Sequence, residues 1–247
     1  MQNLRRKRLA GKIALQTPVI SLQNSRDGRR ATLVLTAHLG DESYFQELRT
    51  AIARTEAPVY FESVRSLDSS AEHWREPYHR FLKSLREDLY AGIAGLGLLA
   101  FQGDHLAPEP GWTNADVDCC TLATKLRAAK VPLLRYEMAF GLLRQLISRA
   151  QRGDQAALRS LEKAIKWGLF AVSFAPLFNL VRLMPRTRSF YHVISDWRSE
   201  EAVKVVDGAG GDFVLIYGAA HGELILQGLA RVGFGETSRR WLTVFTA

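Results

Sequence analysis

Apolar positions recur along this chain with two periods. Short β-branched runs read as strands, and stretches with an apolar residue every three or four positions read as helices. Residues 13–23, "IALQTPVISLQ", form a strand pair or one irregular strand, and Asp27-Gly28 turns the chain after them. "ATLVLTA" suits a buried strand. In "ESYFQELRTAIART" Tyr44, Phe45, Leu48, Ala51 and Ile52 share a helical face, with Asp41 placed to cap it. "PVYFESV" is the next strand, "EPYHRFLKSLREDLYAGIAG" a helix and "LGLLAFQ" another strand. An irregular loop, "GDHLAPEPGWTNADVD", follows. Residues 119–129, 135–151, 154–166 and 167–182 read as helices. "RSFYHVISDWRSEEAVKVVDG" is a helix that stops near Gly208, "DFVLIYG" a strand, "GELILQGLARVG" a helix and "SRRWLTVFT" a last strand.

Strands alternating with helices predict an α/β fold with a central mixed, partly parallel sheet flanked by helices. No Pro/Gly/Ser-rich linker divides the chain, so residues 1–247 are expected to form a single domain. Residues 119–195 read as a helical insertion or cap within it. The segments from Thr32 and from Phe213 share one plan of strand, Ala-His, then helix. Internal duplication and chance convergence of two βα units account for this equally well.

A chain of 247 residues with 47% hydrophobic content can bury a substantial core. Its net charge of +8 suits an acidic surface, a nucleic acid or an anionic substrate. Much of the excess lies in Arg5–Arg8, Arg29–Arg30 and Arg239–Arg240, which read as solvated surface. Aromatic residues do not alternate with basic ones as base-stacking requires, so nucleic acid is not the expected partner. The two cysteines, Cys119 and Cys120, are adjacent. They exclude a disulfide framework or a zinc ribbon and favour a reducing, cytoplasmic setting. The N-terminus is basic and lacks a signal-peptide core. The longest apolar window, residues 167–181, is bracketed by Lys166 and Arg182 and interrupted by Pro176. It falls short of the roughly 20 residues of a membrane span and reads as a buried or docking helix, with peripheral membrane contact as the alternative.

In α/β sheets ligands gather beyond the carboxyl ends of strands. His38 follows "LVLTA", Glu62 ends "VYFE", Gln102, Asp104 and His105 follow "LGLLAF", and His221 follows "VLIYGAA". Asp116 and Asp118 lie in the loop "NADVD". Two imidazoles with one or more carboxylates form a borderline ligand set that suits Zn, Mn, Fe or Co. Such an ion lowers the pKa of a bound water, and a carboxylate such as Glu62 can take its proton. Each residue also has a bland reading: a hydrogen-bonded core histidine for His38 or His221, a helix cap for Asp116. Glu62 fits a bland role least, because an acid ending an apolar strand is costly unless paired or liganded. His73, His79 and His192 lie on predicted helices among charges and read as surface or structural. There is no Gly-x-Ser-x-Gly elbow, phosphate-binding glycine loop or His-Glu-x-x-His.

Together these residues resemble the TIKI/TraB/GumN superfamily, which takes in ChaN-like and erythromycin-esterase-like proteins. Its members carry a Gly-x-x-His motif after an early strand, a Glu ending the next strand, and a second Gly-x-x-His after a late strand. Here the late motif is intact as Gly218-Ala219-Ala220-His221, and Glu62 stands where the family's Glu belongs. The early motif reads Leu35-Thr36-Ala37-His38 and lacks its glycine. Many members carry an Arg-Asn before the late strand, and here Arg198-Ser199 keeps the Arg alone. The resemblance covers about residues 30–120 and 188–247. It implies that His38, Glu62 and His221 converge in one cleft with Arg198 nearby. The activity it implies is metal-dependent hydrolysis of a peptide or ester bond. On that reading His38, His221 and Asp116 are metal ligands, Glu62 is a ligand or general base, and Arg198 stabilises an anion or fixes Glu62. The alternative is a non-catalytic binding protein or pseudoenzyme on the same fold, with peripheral membrane contact.

Overall fold

The structure, a computed structural model, describes residues 3–9, 11–64, 76–172 and 185–246. The strands are β1 (Arg5–Leu9), β2 (Lys12–Asn24), β3 (Arg30–Thr36), β4 (Leu39–Gly40), β5 (Val59–Phe61), β6 (Ala100–Phe101), β7 (Thr113–Asn114), β8 (Phe213–Gly218) and β9 (Phe234–Thr246). The helices are α1 (Glu42–Ala53), α2 (Pro77–Ser84), α3 (Ala91–Ala94), α4 (Gln102–His105), α5 (Cys119–Ala128), α6 (Leu133–Gln151), α7 (Gln155–Val172), α8 (Pro185–Tyr191), α9 (Arg198–Asp207) and α10 (Gly222–Arg231). Widened π turns, Leu85–Tyr90 and His192–Trp197, join α2 to α3 and α8 to α9.

Seven strands form one mixed sheet. The long β2 takes β9 antiparallel along one edge, while its other edge is shared by β1, opposite Lys12–Gln16, and β3, opposite Val19–Gln23. Beyond β3 the sheet is parallel, in the order β3-β8-β5-β7. The α/β fold with a partly parallel sheet is therefore as the patterning predicts. The Ala-His segments after β3 and β8 are neighbours, because the register pairs Thr36 with Gly218.

Alternation along the parallel strands fills two cores. Val34, Val214 and Ile216 face Leu48 of α1, Ile147 of α6 and Leu161 of α7. Leu33, Leu35, Leu215 and Tyr217 face Ala202 and Val206 of α9 and Ile225 and Leu229 of α10. Burial on both faces is why these strands read as unbroken apolar runs. A smaller core joins Leu122, Leu126 and Val131 to Val193 within the helical layer.

Several elements differ from expectation. "LGLLAFQ" contributes only Ala100–Phe101, which pairs with β4 in a separate two-stranded sheet. The supposedly irregular loop after it supplies β7 to the main sheet's edge. The basic cluster Arg5–Arg8 lies in a strand, β1. The helix α7 continues unbroken past Lys166 to Val172. The rest of the apolar window 167–181, and His73, lie outside the described residues. Among the described residues no helix is long and apolar enough to cross a membrane.

Leu35, where the resemblance expects a glycine, is a buried strand residue paired with Tyr217. No positive φ is needed there, so the missing glycine costs the backbone nothing. The space is taken instead from α10, where a Cβ added at Gly222 would collide with Leu35 Cδ1 and approach Asn3. Gly222→Ala should therefore destabilise the protein by about 1–3 kcal/mol, as overpacking does. In a urea-unfolding double-mutant cycle, Leu35→Ala should absorb part of that loss, giving a coupling of at least about 0.5 kcal/mol. Strict additivity would refute the contact.

Candidate functional site

The register of the parallel strands sets four chain exits side by side. Thr36 is level with Gly218, and Ile216 is level with Phe61, which is level with Asn114. The ladder runs one residue further, Glu62 N donating to Ile216 O at 2.9 Å and Ala115 N to Phe61 O at 2.9 Å. Glu62 and Asp116 thereby leave the sheet next to each other, with His221 beyond β8 and His38 beyond β3.

Arg198 binds the two carboxylates together. It opens α9 directly after the π turn His192–Trp197, and its side chain is buried. Nε donates to Asp116 Oδ1 at 2.9 Å and Nη2 to Asp116 Oδ2 at 2.5 Å, a bidentate pair. Nη2 also donates to Glu62 Oε1 at 2.6 Å, and Nη1 to Ile194 O at 3.3 Å. Asp116 Oδ1 additionally accepts from Tyr217 Oη at 3.3 Å. Both oxygens of Asp116 are thus engaged, its side chain is fully buried, and it holds Arg198 rather than standing open as a metal ligand. The helix cap that the sequence also allowed for Asp116 is made by Asp118, which accepts from Thr121 N at 2.8 Å.

Glu62 is held at its other oxygen by the backbone of β8. Gly218 N donates to Glu62 Oε2 at 2.6 Å. A Cβ at position 218 would lie 2.9 Å from that oxygen, so the first residue of Gly218-Ala219-Ala220-His221 is glycine because a carboxylate rests against it. Its φ of −58° is one any residue adopts.

His221 is buried, with a fixed tautomer. The Ser199 hydroxyl gives its one proton to Ser195 O at 2.6 Å. Toward His221 Nδ1, 3.0 Å away, it can therefore only accept, so Nδ1 carries the ring proton. Burial lowers the imidazole pKa to about 4, although Glu62 pulls the other way. The neutral ring then turns the lone pair of Nε2 toward Glu62 Oε1, 3.5 Å away. Burial favours the neutral form of Glu62, but His221, Arg198, His38 and the Gly218 N–H reverse this and hold its carboxyl at about 2. With His221 neutral, Arg198 is the permanent cation behind that direction.

His38 stands at the exposed rim. Gln102 grips it twice, its N–H donating to His38 O at 2.9 Å and its Oε1 meeting His38 Nδ1 at 3.1 Å. A carbonyl oxygen only accepts, so Nδ1 is again the donor and Nε2 again carries the lone pair. Behind it, Ala37 N donates to the Tyr44 hydroxyl at 3.0 Å, and Tyr90 packs on the ring at 5.2 Å. Of the other residues after β6, Asp104 is exposed and His105 stacks on Phe45.

Two imidazoles and a carboxylate are donors of the kind a borderline divalent ion takes. Ligands at about 2.0–2.2 Å from one ion stand roughly 3–4 Å apart, which the His221–Glu62 pair satisfies. His38 is not drawn into an equally compact group. Among the described residues, the group of three ligand atoms lying within 4.8 Å of one another is His79, Cys119 and Cys120. The sequence reading missed it, taking His79 for a surface or structural residue; His79 is buried. The adjacent cysteines were its visible half.

No family model, no curated protein and no solved structure matches this chain.

Removing Arg198 leaves Glu62 and Asp116 buried without their cation. Arg198→Met should cost about 3–5 kcal/mol in chemical unfolding. Acid should act on the same cluster. The His221 pKa is depressed on folding from 6.5 to about 4, so the unfolded chain binds the proton first, and stability falls as pH drops through that window. Glu62, depressed from 4.5 to about 2, adds a loss over that lower range. Urea midpoints measured from pH 7 to pH 3 should decline throughout, and His221→Gln should flatten the part above pH 4.5.

Proposed function

We propose that the cleft at the carboxyl ends of β3, β8, β5 and β7 is the active site of a metal-dependent hydrolase of the TIKI/TraB type, acting on a peptide or ester bond. The observation that carries this is the buried facing pair of His221 Nε2 and Glu62 Oε1, 3.5 Å apart. Glu62 Oε1 already accepts from Arg198 Nη2 at 2.6 Å, and a cation between Oε1 and His221 Nε2 would give the imidazole lone pair a partner as well. The charge points the same way: Glu62, Asp116 and Arg198 together carry a formal −1 with their side chains buried.

His221 Nε2 and Glu62 Oε1 would hold the ion, Zn, Mn, Fe or Co, with His38 Nε2 approaching from the rim. When bound, such an ion polarises a carbonyl oxygen and lowers the pKa of water. The protein's own residues have separate tasks. Ser199 and Gln102 keep the Nδ1 proton on His221 and His38, which leaves the lone pair of each ring on Nε2. Arg198 and Gly218 N–H fix the Glu62 carboxylate and keep it ionised. Asp116 and Tyr217 position Arg198. Arg198 and the Gly218 N–H keep Glu62 ionised near neutrality, so it has no proton to give and would serve as ligand or general base.

Untagged protein purified without chelator should contain one equivalent of such an ion that is lost in His221→Ala and kept in Cys120→Ser, by mass spectrometry. Hydrolysis across a panel of peptide and ester substrates should disappear with it while circular dichroism is unchanged. An ion retained in full by His221→Ala overturns the assignment. Bound ion without turnover on any substrate would favour the binding-protein reading.

A further inference from the structure

Outside the cleft, α2 packs against the start of α5, and three soft or borderline donors meet at that junction. A ring nitrogen of His79 and the sulfurs of Cys119 and Cys120 all lie within 4.8 Å of one another. His79 and Cys119 are buried and Cys120 is half-buried. Adjacent cysteines do not readily pair with each other, and both are free thiols here.

The histidine is prepared from behind. Glu76 Oε2 accepts from His79 N at 3.0 Å and lies 3.0 Å from His79 Nδ1. An ionised carboxylate only accepts, so Nδ1 is the donor and the neutral ring presents the lone pair of Nε2. Burial raises the Glu76 carboxyl, but the His79 backbone N–H and Arg127, whose Nη2 is 3.0 Å from Glu76 Oε1, more than offset it. A carboxylate behind an imidazole fixes the tautomer and raises the basicity of a metal ligand. The cysteines are the first two residues of α5, where the helix dipole favours negative charge. Asp118, the residue before them, is occupied in capping the helix.

We propose that His79, Cys119 and Cys120 bind a zinc ion that staples α2 to the first turn of α5, as a site separate from the His221–Glu62 cleft. Two thiolates and an imidazole select a thiophilic, nitrogen-tolerant divalent ion, and a fourth position is left for water on the Cys120 side. Binding forms two Zn–S bonds and one Zn–N bond and releases both thiol protons to solvent, with no change of oxidation state. The chain that delivers Asp116 to Arg198 runs directly into Cys119, so the staple also anchors one wall of the cleft.

The chain has two cysteines, so any thiolate-to-cobalt charge-transfer band must come from these two. Reduced, metal-free full-length protein should develop that near-ultraviolet band with Co²⁺, saturating at one ion per thiolate pair, and Zn²⁺ should displace it. Cys120→Ser, at a half-exposed position, should fold by circular dichroism and lose about half of the band or more. His221→Ala should keep the band in full, which separates this site from the cleft whether or not the cleft binds metal. Absence of the band in the wild type, or an undiminished band in Cys120→Ser, overturns the proposal.

Discussion

The arrangement depends on one buried cation. Arg198 reaches from the start of α9 to carboxylates that leave two different strands, β5 and β7. Without it, Glu62 and Asp116 would be like charges side by side in a dry site, where repulsion and desolvation both favour their protonation. With it, each carboxylate has a cationic partner, and β7, an edge strand of two residues, gains a side-chain anchor that its two backbone pairings cannot supply. The π turn before Arg198 contributes to this geometry. Within it Ile194 O and Ser195 O accept side-chain hydrogen bonds from Arg198 and Ser199. One local irregularity thus orients both the guanidinium and, through Ser199, the imidazole of His221.

Three histidines in this chain share a device despite lying in different surroundings. His38, His79 and His221 each have Nδ1 held by an oxygen, from Gln102, Glu76 and Ser199 respectively. A neutral imidazole held this way presents a lone pair at Nε2, the form that binds an ion or accepts a proton. The differences between them are equally informative. Glu76 is a carboxylate and sets a charged acceptor behind His79, whereas the neutral oxygens of Ser199 and Gln102 orient without adding charge.

The sequence made the strands of the site legible because both faces of the parallel sheet are buried, which leaves continuous β-branched runs at Thr32–Leu35 and Phe213–Tyr217. Glu62 was legible as an acid that an apolar strand cannot leave unpaired. Arg198 was visible through the family resemblance alone, because "DWRSEEAVKVV" reads as a solvated helix and nothing local marks its one buried charge. The role of Asp116 depends on a contact 82 positions away along the chain, which no local pattern encodes. The strand β7 was missed because Thr113-Asn114 has neither alternation nor apolar character and is a strand only through its neighbour. The "LGLLAFQ" run was misplaced for the converse reason. Its apolar residues fill the core under α1 without joining the main sheet. The His79–Cys119–Cys120 group needed α2 and α5 to be packed together, and no fixed spacing announces it.

The two carboxylates of the cleft are not interchangeable, and their chain lengths show why. Asp116 meets Arg198 face to face, so its two oxygens match the guanidinium fork. Glu62 meets the same guanidinium side-on through one oxygen, and its extra methylene carries the other across to the backbone N–H of Gly218. That leaves Oε1 with a lone pair directed at His221 Nε2. A Cβ at position 218 would lie 2.9 Å from Glu62 Oε2, so a side chain there would displace the carboxylate from its place. Glycine at 218, glutamate at 62 and histidine at 221 are therefore one geometric solution. The backbone gives way so that a carboxylate can bring a single oxygen to 3.5 Å from an imidazole nitrogen.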